Sequence, residues 1–268
     1  MAADPSPRPN TFVQAWQDWK QQREDQLAGH TGPLTITALE WLSHVPTSYT
    51  RLPGLWWADG EDFWLDPRED QLRHNGIPVR EPTAFTLEDG GASARFTTQT
   101  GDEVEVFRRG GFMTVARNPD SPRLRAFTGA PIYAPRPEWL LAGVFEPHDP
   151  TSRTVSSTRG PQQDLRVVGR VRFTRAGAEF TLPVNVGHNG ISEFLSALFT
   201  DTTNGLTTYP AGRFLAITPG PDGSTVLDFT RATNLPCAFN PLISCPVPPP
   251  ESALPFAVEA GERTPEIH

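Results

Sequence analysis

The side chains best suited to chemistry in this chain gather in its last quarter, in residues 199–262. This stretch carries both cysteines, Cys237 and Cys245, among closely spaced carboxylate, phenol, guanidinium and amide side chains. Side chains of these types bind anions, transfer protons or attack an electrophile. We therefore expect a functional site in this stretch.

An anion site is the first hypothesis. Arg213 offers a planar fork of N–H donors that matches a carboxylate or a phosphate. Tyr209 and Asn234 add a hydroxyl and an amide, so we predict Tyr209, Arg213 and Asn234 as ligand-binding residues for a small anionic molecule. The alternative is structural. In it Arg213 pairs with Asp201 or Asp228 and pins the loop, while Tyr209 anchors a β corner.

A hydrolase is the second hypothesis. Cys237 could act as a nucleophile if a nearby cation such as His188 stabilised its thiolate. Asp201 and Asp228 could serve as acid and base. The candidate catalytic residues are therefore Asp201, Asp228, Cys237 and His188, and the sequence leaves open whether the protein is an enzyme. A buried, unreactive thiol is the simpler interpretation of Cys237, and a disulfide with Cys245 is chemically feasible.

A third hypothesis gives the stretch a structural role and places function in an interaction surface, of which a homodimer is one form. No metal site is predicted, because the histidines never adopt H-x-x-x-H spacing and Cys237 and Cys245 lack the C-x2-C spacing of structural zinc. The glycine clusters match no phosphate-binding loop, so no cofactor is predicted either.

Three blocks of residues in this stretch form a recognisable signature. From Phe199 the chain reads FTDTTNGLTTYPAGRFL, from Asp228 DFTRATNLPCAFN, and from Cys245 CPVPPPESAL, and a closing AGE ends at Glu262. The signature resembles that of the family catalogued as domain of unknown function 1684 (DUF1684).

The signature departs from the family pattern at four positions. Thr230 and Ser252 stand where Asn is usual, Leu235 where Pro is usual, and Pro210 where Gly is common. If the Asn at position 230 is catalytic in relatives, this chain lacks that catalytic side chain. The resemblance implies a fold rich in β-structure and brings no defined activity with it.

Short apolar runs separated by turn residues fill most of the remaining chain. Glycine and proline together contribute 22 and 29 of the 268 residues, which favours short strands over long helices. Residues 165–173 alternate with period two and are predicted to pair with residues 179–186. We predict a mainly β fold, arranged as an antiparallel sandwich or as barrel-like sheets.

One helix is predicted, at the N-terminus. It runs from about residue 11 to residue 28, with Asn10 as its cap, after a disordered tail over residues 1–9. A β-hairpin with a long loop is predicted from residues 214–217 and 225–229. Residues 10–268 are predicted to form a single β-rich domain, with residues 146–150 as the place where it could divide.

Charge and hydropathy exclude several partners. The net charge of −8 argues against the basic surface that binding to a nucleic acid requires. No apolar run approaches the length of a membrane span, and the N-terminus has no apolar signal core. We therefore predict no nucleic-acid partner, no membrane partner and a cytoplasmic location.

Overall fold

The computed structural model of the protein describes residues 9–188 and 193–266. The chain groups into two compact units, of which unit 1 comprises Met1–Asp25 and Thr128–Ile267 and unit 2 comprises Gln26–Phe127. Residues 146–150, where the sequence suggested a division, lie inside a strand of unit 1. The single domain over residues 10–268 stays a prediction.

The predicted N-terminal helix is confirmed as α1 (Pro9–Ala28), and Asn10 lies inside it rather than before it. The predicted tail over residues 1–9 lies outside the described residues except for Pro9. Trp16 is buried, and its indole N–H donates to the carbonyl oxygen of Thr230 at 3.0 Å. This bond attaches the helix to the C-terminal part of unit 1. None of the described helices is long and apolar enough to span a bilayer.

The described residues of unit 2 form two antiparallel sheets. The strands are β1 (Ile36–Trp41), β2 (Leu55–Asp59), β3 (Asp62–Asp66), β4 (Arg73–His74), β5 (Ile77–Pro78), β6 (Thr83–Thr86), β7 (Ala94–Thr97), β8 (Glu103–Arg108) and β9 (Phe112–Arg117). Their orders are β1-β9-β8-β7-β4-β5 and β2-β3-β6. Both sheets contribute to one apolar core, in which Trp56 and Phe96 meet edge to face with 5.2 Å between ring centroids. A short helix, α2 (Pro122–Ala126), follows β9.

The described residues of unit 1 form one antiparallel sheet. Its strands are β10 (Leu140–Val155), β11 (Gln163–Arg175), β12 (Ala178–His188), β13 (Glu193–Phe199), β14 (Arg213–Ile217), β15 (Ser224–Asp228) and β16 (Thr233–Asn234). The order β15-β10-β11-β12-β13-β14-β16 is linear, so this sheet is open over the described residues. The prediction of a mainly β, antiparallel fold with an N-terminal helix is confirmed, and so is the pairing of residues 165–173 with residues 179–186.

The predicted β-hairpin between residues 214–217 and 225–229 is wrong. β14 pairs with β13 and β16, whereas β15 pairs with β10 at the other end of the sheet. A two-residue turn would have fixed direct pairing of the two strands. The connector over residues 218–223 is longer, and it lets the chain leave one end of the sheet and join the other.

The core of unit 1 combines the sheet with the C-terminal stretch. Alternating side chains of β11 to β14 are buried together, including Phe173, Leu182 and Phe199. Val258 and Leu254, which lie outside the strands, belong to the same apolar cluster. The C-terminal stretch is therefore part of the core, and its buried polar groups need partners inside the protein.

Candidate functional site

Arg213 stands at the start of β14 and is completely buried, with 0% of its surface exposed. Gly212 precedes it with a φ of +89°, a left-handed conformation that favours glycine. A Cβ at this position would lie 2.7 Å from the carbonyl oxygen of Phe199. The glycine thus allows the chain to pass close to β13 and lets the arginine enter the core.

The guanidinium of Arg213 is bound by protein groups. Nη2 donates to Oδ2 of Asp201 at 2.8 Å and to the carbonyl oxygen of Val258 at 2.9 Å. Nη1 donates to the carbonyl oxygens of Ala260 and Glu262, the latter at 3.1 Å. Burial lowers the pKa of Arg213, and the neighbouring charge of Asp201 opposes that shift.

Asp201 faces the same segment from the other side. Its Oδ1 accepts the backbone N–H of Thr203 at 2.8 Å and that of Val258 at 3.1 Å. Asp201 therefore binds the backbone N–H of Val258, and Arg213 binds its carbonyl oxygen. This is a fixed attachment of the C-terminal segment to the sheet.

A second buried carboxylate completes the attachment. Glu262 is 0% exposed and accepts Nε of Arg23 at 2.8 Å and the backbone N–H of Asn234 at 2.7 Å. The side-chain amide of Asn234 donates to the carbonyl oxygen of Arg263 at 2.8 Å. We call Asp201, Arg213, Asn234 and Glu262, with the backbone of residues 258–263, the C-terminal clamp.

The structure brings the predicted ligand residues Arg213 and Asn234 together, because they are directly paired across β14 and β16. Both are fully buried, and their side chains donate to Asp201 and to the backbone of residues 258–263. Of the side-chain nitrogen and oxygen atoms of these two residues, Nε of Arg213 and Oδ1 of Asn234 have no hydrogen-bond partner in the described part of the chain. The contacts of Arg213 therefore agree with the structural alternative, in which it pairs with Asp201 and fixes the chain in place.

The two candidate acid–base carboxylates are bound separately. Asp228 caps the short 3-10 helix Phe229–Arg231, where it accepts the backbone N–H of Thr230 at 3.0 Å and forms an ion pair with Nε of Arg231 at 3.2 Å. Asp201 belongs to the C-terminal clamp. The two carboxylates share no hydrogen-bond partner in the described part of the chain.

The two cysteines lie together as free thiols, each 3% exposed. Cys237 sits in the 3-10 helix Pro236–Ala238, and its backbone N–H donates to Sγ of Cys245 at 3.3 Å. The hydroxyl of Tyr209 donates to the carbonyl oxygen of Cys237 at 3.3 Å. Burial raises the pKa of Tyr209 to about 12, so the phenol keeps its proton. We call Cys237 and Cys245 the thiol pair.

His188 ends β12, but its side chain lies outside the described residues. The suggested pairing of Cys237 with His188 therefore stays a prediction. Across the described part of the chain, no group of three or more His, Cys, Asp or Glu side chains is arranged to hold a metal ion.

Sequence reasoning missed a groove beside β10 and β11 in unit 1. The cavity measures about 350 Å³, and its lining includes His148, Arg153, Arg170, Thr181, Pro183 and Glu251. We call it the arginine groove. The sequence contains part of the evidence for this groove, because arginines alternate with apolar residues along residues 165–173. Residues 146–150 were interpreted as a linker, which hid their contribution.

Comparisons with known proteins place the chain in a family without assigning an activity. No curated protein matches it. One solved structure that it resembles is the solution NMR structure of an uncharacterized protein of Haloarcula marismortui, at 30% identity and a TM-score of 0.44, covering 53% of this chain and 80% of the other. The family model described as "Protein of unknown function (DUF1684)" matches residues 125–263, which include the whole signature. The chain therefore belongs to the DUF1684 family.

Proposed function

We propose that the protein binds a small anionic molecule in the arginine groove. The observation that carries this proposal is the gathering of His148, Arg153 and Arg170 around one cavity of about 350 Å³. A cavity of this volume suits a small ligand. It lies within the part of the chain that matches the family.

A break in strand pairing forms the groove. The register between β10 and β11 shifts between Pro147 and Thr151, and that between β11 and β12 shifts between Val167 and Gly169. Gly169 is needed at this point, since an added Cβ would lie 2.6 Å from the carbonyl oxygen of Glu146. Bulges of this kind turn side chains away from their regular positions and are common at functional sites.

The arginines of the groove are held by weak pairs that an anion can replace. Arg153 is paired with Glu251, and their side chains are 46% and 40% exposed. Nε of Arg170 donates to Glu146 at 2.7 Å, and the side chain of Arg170 is 62% exposed. Exposed pairs contribute little to stability. A guanidinium carries five N–H donors, so each arginine can also bind a second acceptor.

The sign of the charge favours this groove over the larger cleft of unit 2. That cleft measures about 610 Å³, and its charged lining consists of Glu69, Asp70 and Asp102 against Arg51 alone. Three carboxylates against one guanidinium repel an anion. The lining of the arginine groove has two guanidinium groups, Arg153 and Arg170, against the one carboxylate of Glu251.

Hydrolysis by Cys237 or by Asp201 with Asp228 has less support. A substrate must reach its nucleophile, and the Cys237 thiol is 3% exposed. The two carboxylates are engaged by separate partners. Likewise, the burial of Arg213 and Asn234 leaves them without a ligand-facing surface, so the anion proposal moves from those residues to the groove.

Titration calorimetry with citrate and with inorganic phosphate tests the proposal. We expect binding to the wild type and a loss of affinity of at least about tenfold, equal to about 1.4 kcal/mol, in Arg153→Ala/Arg170→Ala. Arg166→Ala is the matched control, since Arg166 is an exposed arginine of β11 that pairs with Glu193. The proposal fails if neither anion binds, or if Arg166→Ala loses as much affinity as the double variant.

A further inference from the structure

The thiol pair is the one nucleophilic cluster of the signature that the proposed function leaves unused. Cys237 and Cys245 are the only cysteines of the chain. The backbone N–H of Cys237 donates to Sγ of Cys245 at 3.3 Å, so the two residues lie side by side in one apolar cluster. From this geometry we propose that Cys237 and Cys245 form a peroxide-reactive dithiol that closes to a disulfide.

The backbone between the two residues is already folded for closure. The 3-10 helix Pro236–Ala238 turns the chain, and the N–H of Ile243 donates to the carbonyl oxygen of Asn240 at 3.1 Å to form a second turn. Beyond it, Val247 N–H donates to the carbonyl oxygen of Ser156 at 2.8 Å. These bonds hold the two sulfurs next to each other, so a disulfide can form without bringing distant segments together.

The surroundings distinguish the two thiols. Thr158 accepts the N–H of Cys245 at 3.0 Å through its hydroxyl oxygen, which leaves the hydroxyl proton to donate to the sulfur of Cys237. The Tyr209 hydroxyl also lies beside Cys237. Hydrogen bonds from Cys245 and Thr158 lower the pKa of Cys237 to about 7 against the opposing effect of burial. Donation to Cys237 and burial raise the pKa of Cys245.

Each thiol therefore has its own part in the reaction. The Cys237 thiolate attacks one oxygen of hydrogen peroxide, so an S–O bond forms, the O–O bond breaks and hydroxide leaves. The Cys245 sulfur then attacks the sulfenic sulfur of Cys237, so the S–S bond forms and the S–O bond breaks. The departing hydroxide takes the Cys245 proton as water. Two thiols are oxidised by two electrons and one peroxide is reduced to two waters, and a dithiol reductant reverses the change.

The burial of the pair selects a small oxidant. Both residues are 3% exposed and pack against Leu198 and Leu235 in an apolar cluster. Hydrogen peroxide is close to water in size, whereas a protein disulfide or a glutathione disulfide must present a bulky sulfur to the attacking thiolate. We therefore name hydrogen peroxide, rather than a disulfide, as the oxidant.

Intact-mass analysis of the reduced, full-length chain after treatment with hydrogen peroxide tests the proposal. The wild type should lose two hydrogens and both titratable thiols together, as a monomer. Cys245→Ser should instead gain one oxygen and be trapped by dimedone. Cys237→Ser should react at least about tenfold more slowly, because burial still favours the protonated form of its remaining thiol.

The pH dependence of the wild-type rate provides a second readout that needs no cysteine variant to fold. The rate should rise with a midpoint near pH 7, where the Cys237 thiol ionises. Thr158→Val removes the hydroxyl that donates to Cys237 and should move that midpoint to higher pH. The proposal is overturned if the wild type keeps both thiols, if its oxidised product is a disulfide-linked dimer, or if the two cysteine variants react at equal rates.

Discussion

Arg213 carries its charge to a place that solvent does not reach, so its contribution to stability depends on its partners. The pairing of Phe199 with Arg213 across β13 and β14 brings Arg213 to Asp201. In the sequence the two are twelve residues apart, and that spacing alone gives no distance. The ligand-binding and pinning roles of Arg213 therefore could not be separated before the strand pairing was known.

Substituting Arg213 tests its role at this scale. Arg213→Met leaves the Asp201 carboxylate buried without its cation and should lower the free energy of unfolding by about 3–5 kcal/mol. Arg166→Met, which breaks the exposed pair with Glu193, should cost less than about 1 kcal/mol. Urea denaturation of both variants measures the difference. Similar small losses in the two variants would contradict the burial of Arg213.

The thiol pair shows the same limit of sequence reasoning. The spacing of Cys237 and Cys245 does not fit a structural zinc motif, and it favours an unreactive thiol while leaving a disulfide feasible. What distinguishes the two sulfurs is the hydroxyl of Thr158, which lies in the bend that follows β10. A contact between segments so far apart in sequence leaves no local pattern.

At the scale of the elements, local sequence patterns identified the strands well, but they predicted only some of the pairings between strands. β11 and β12 are joined by a short turn at residues 176–177, so their alternation predicted both the strands and their pairing. β14 and β15 were also recognised as apolar runs, but they do not pair with each other: β14 pairs with β13 and β16, and β15 pairs with β10, which is distant from it in sequence. The order of strands in a sheet depends on such long-range contacts, which periodicity does not encode.

Two glycines with similar backbones test the close packing of the C-terminal clamp. Gly261 has a φ of +73° and an added Cβ would lie 2.5 Å from the carbonyl oxygen of Ala232, whereas Gly205 has a φ of +77° and nothing within 4 Å. Both changes to alanine should cost about 1–2 kcal/mol for the left-handed backbone. Gly261→Ala should cost about 1–3 kcal/mol more because of crowding. Equal urea midpoints for the two variants would contradict the packing at Gly261.

Over the whole molecule, unit 2 is inserted into the chain of unit 1. The chain leaves unit 1 after Asp25 and returns at Thr128. Oε1 of Glu24 accepts the backbone N–H of Ala130 at 3.0 Å, so the two ends of the interruption are adjacent within unit 1. The family match begins at residue 125, close to the point of return. Composition gave no sign of this boundary, because the residues on both sides of it form antiparallel β-sheets.

Unit 1 should therefore fold after residues 26–127 are replaced by a short Gly-Ser linker. Its ends are already close, so a short linker adds little closure entropy. We expect one cooperative urea transition and a near-ultraviolet dichroism spectrum typical of packed aromatic side chains. A shortened chain that shows secondary structure but no such transition would indicate that the single domain predicted from the sequence describes the protein better.

Hydrogen–deuterium exchange of the backbone amides tests the C-terminal clamp most directly. Residues 254–263 contain no extended strand, yet the N–H of Val258 donates to Asp201 and that of Glu262 donates to the carbonyl oxygen of Ala232. We predict that these amides exchange as slowly as those of β14. Exchange as fast as that of the turn at residues 176–177 would show that the C-terminal segment is not held, and would contradict the clamp.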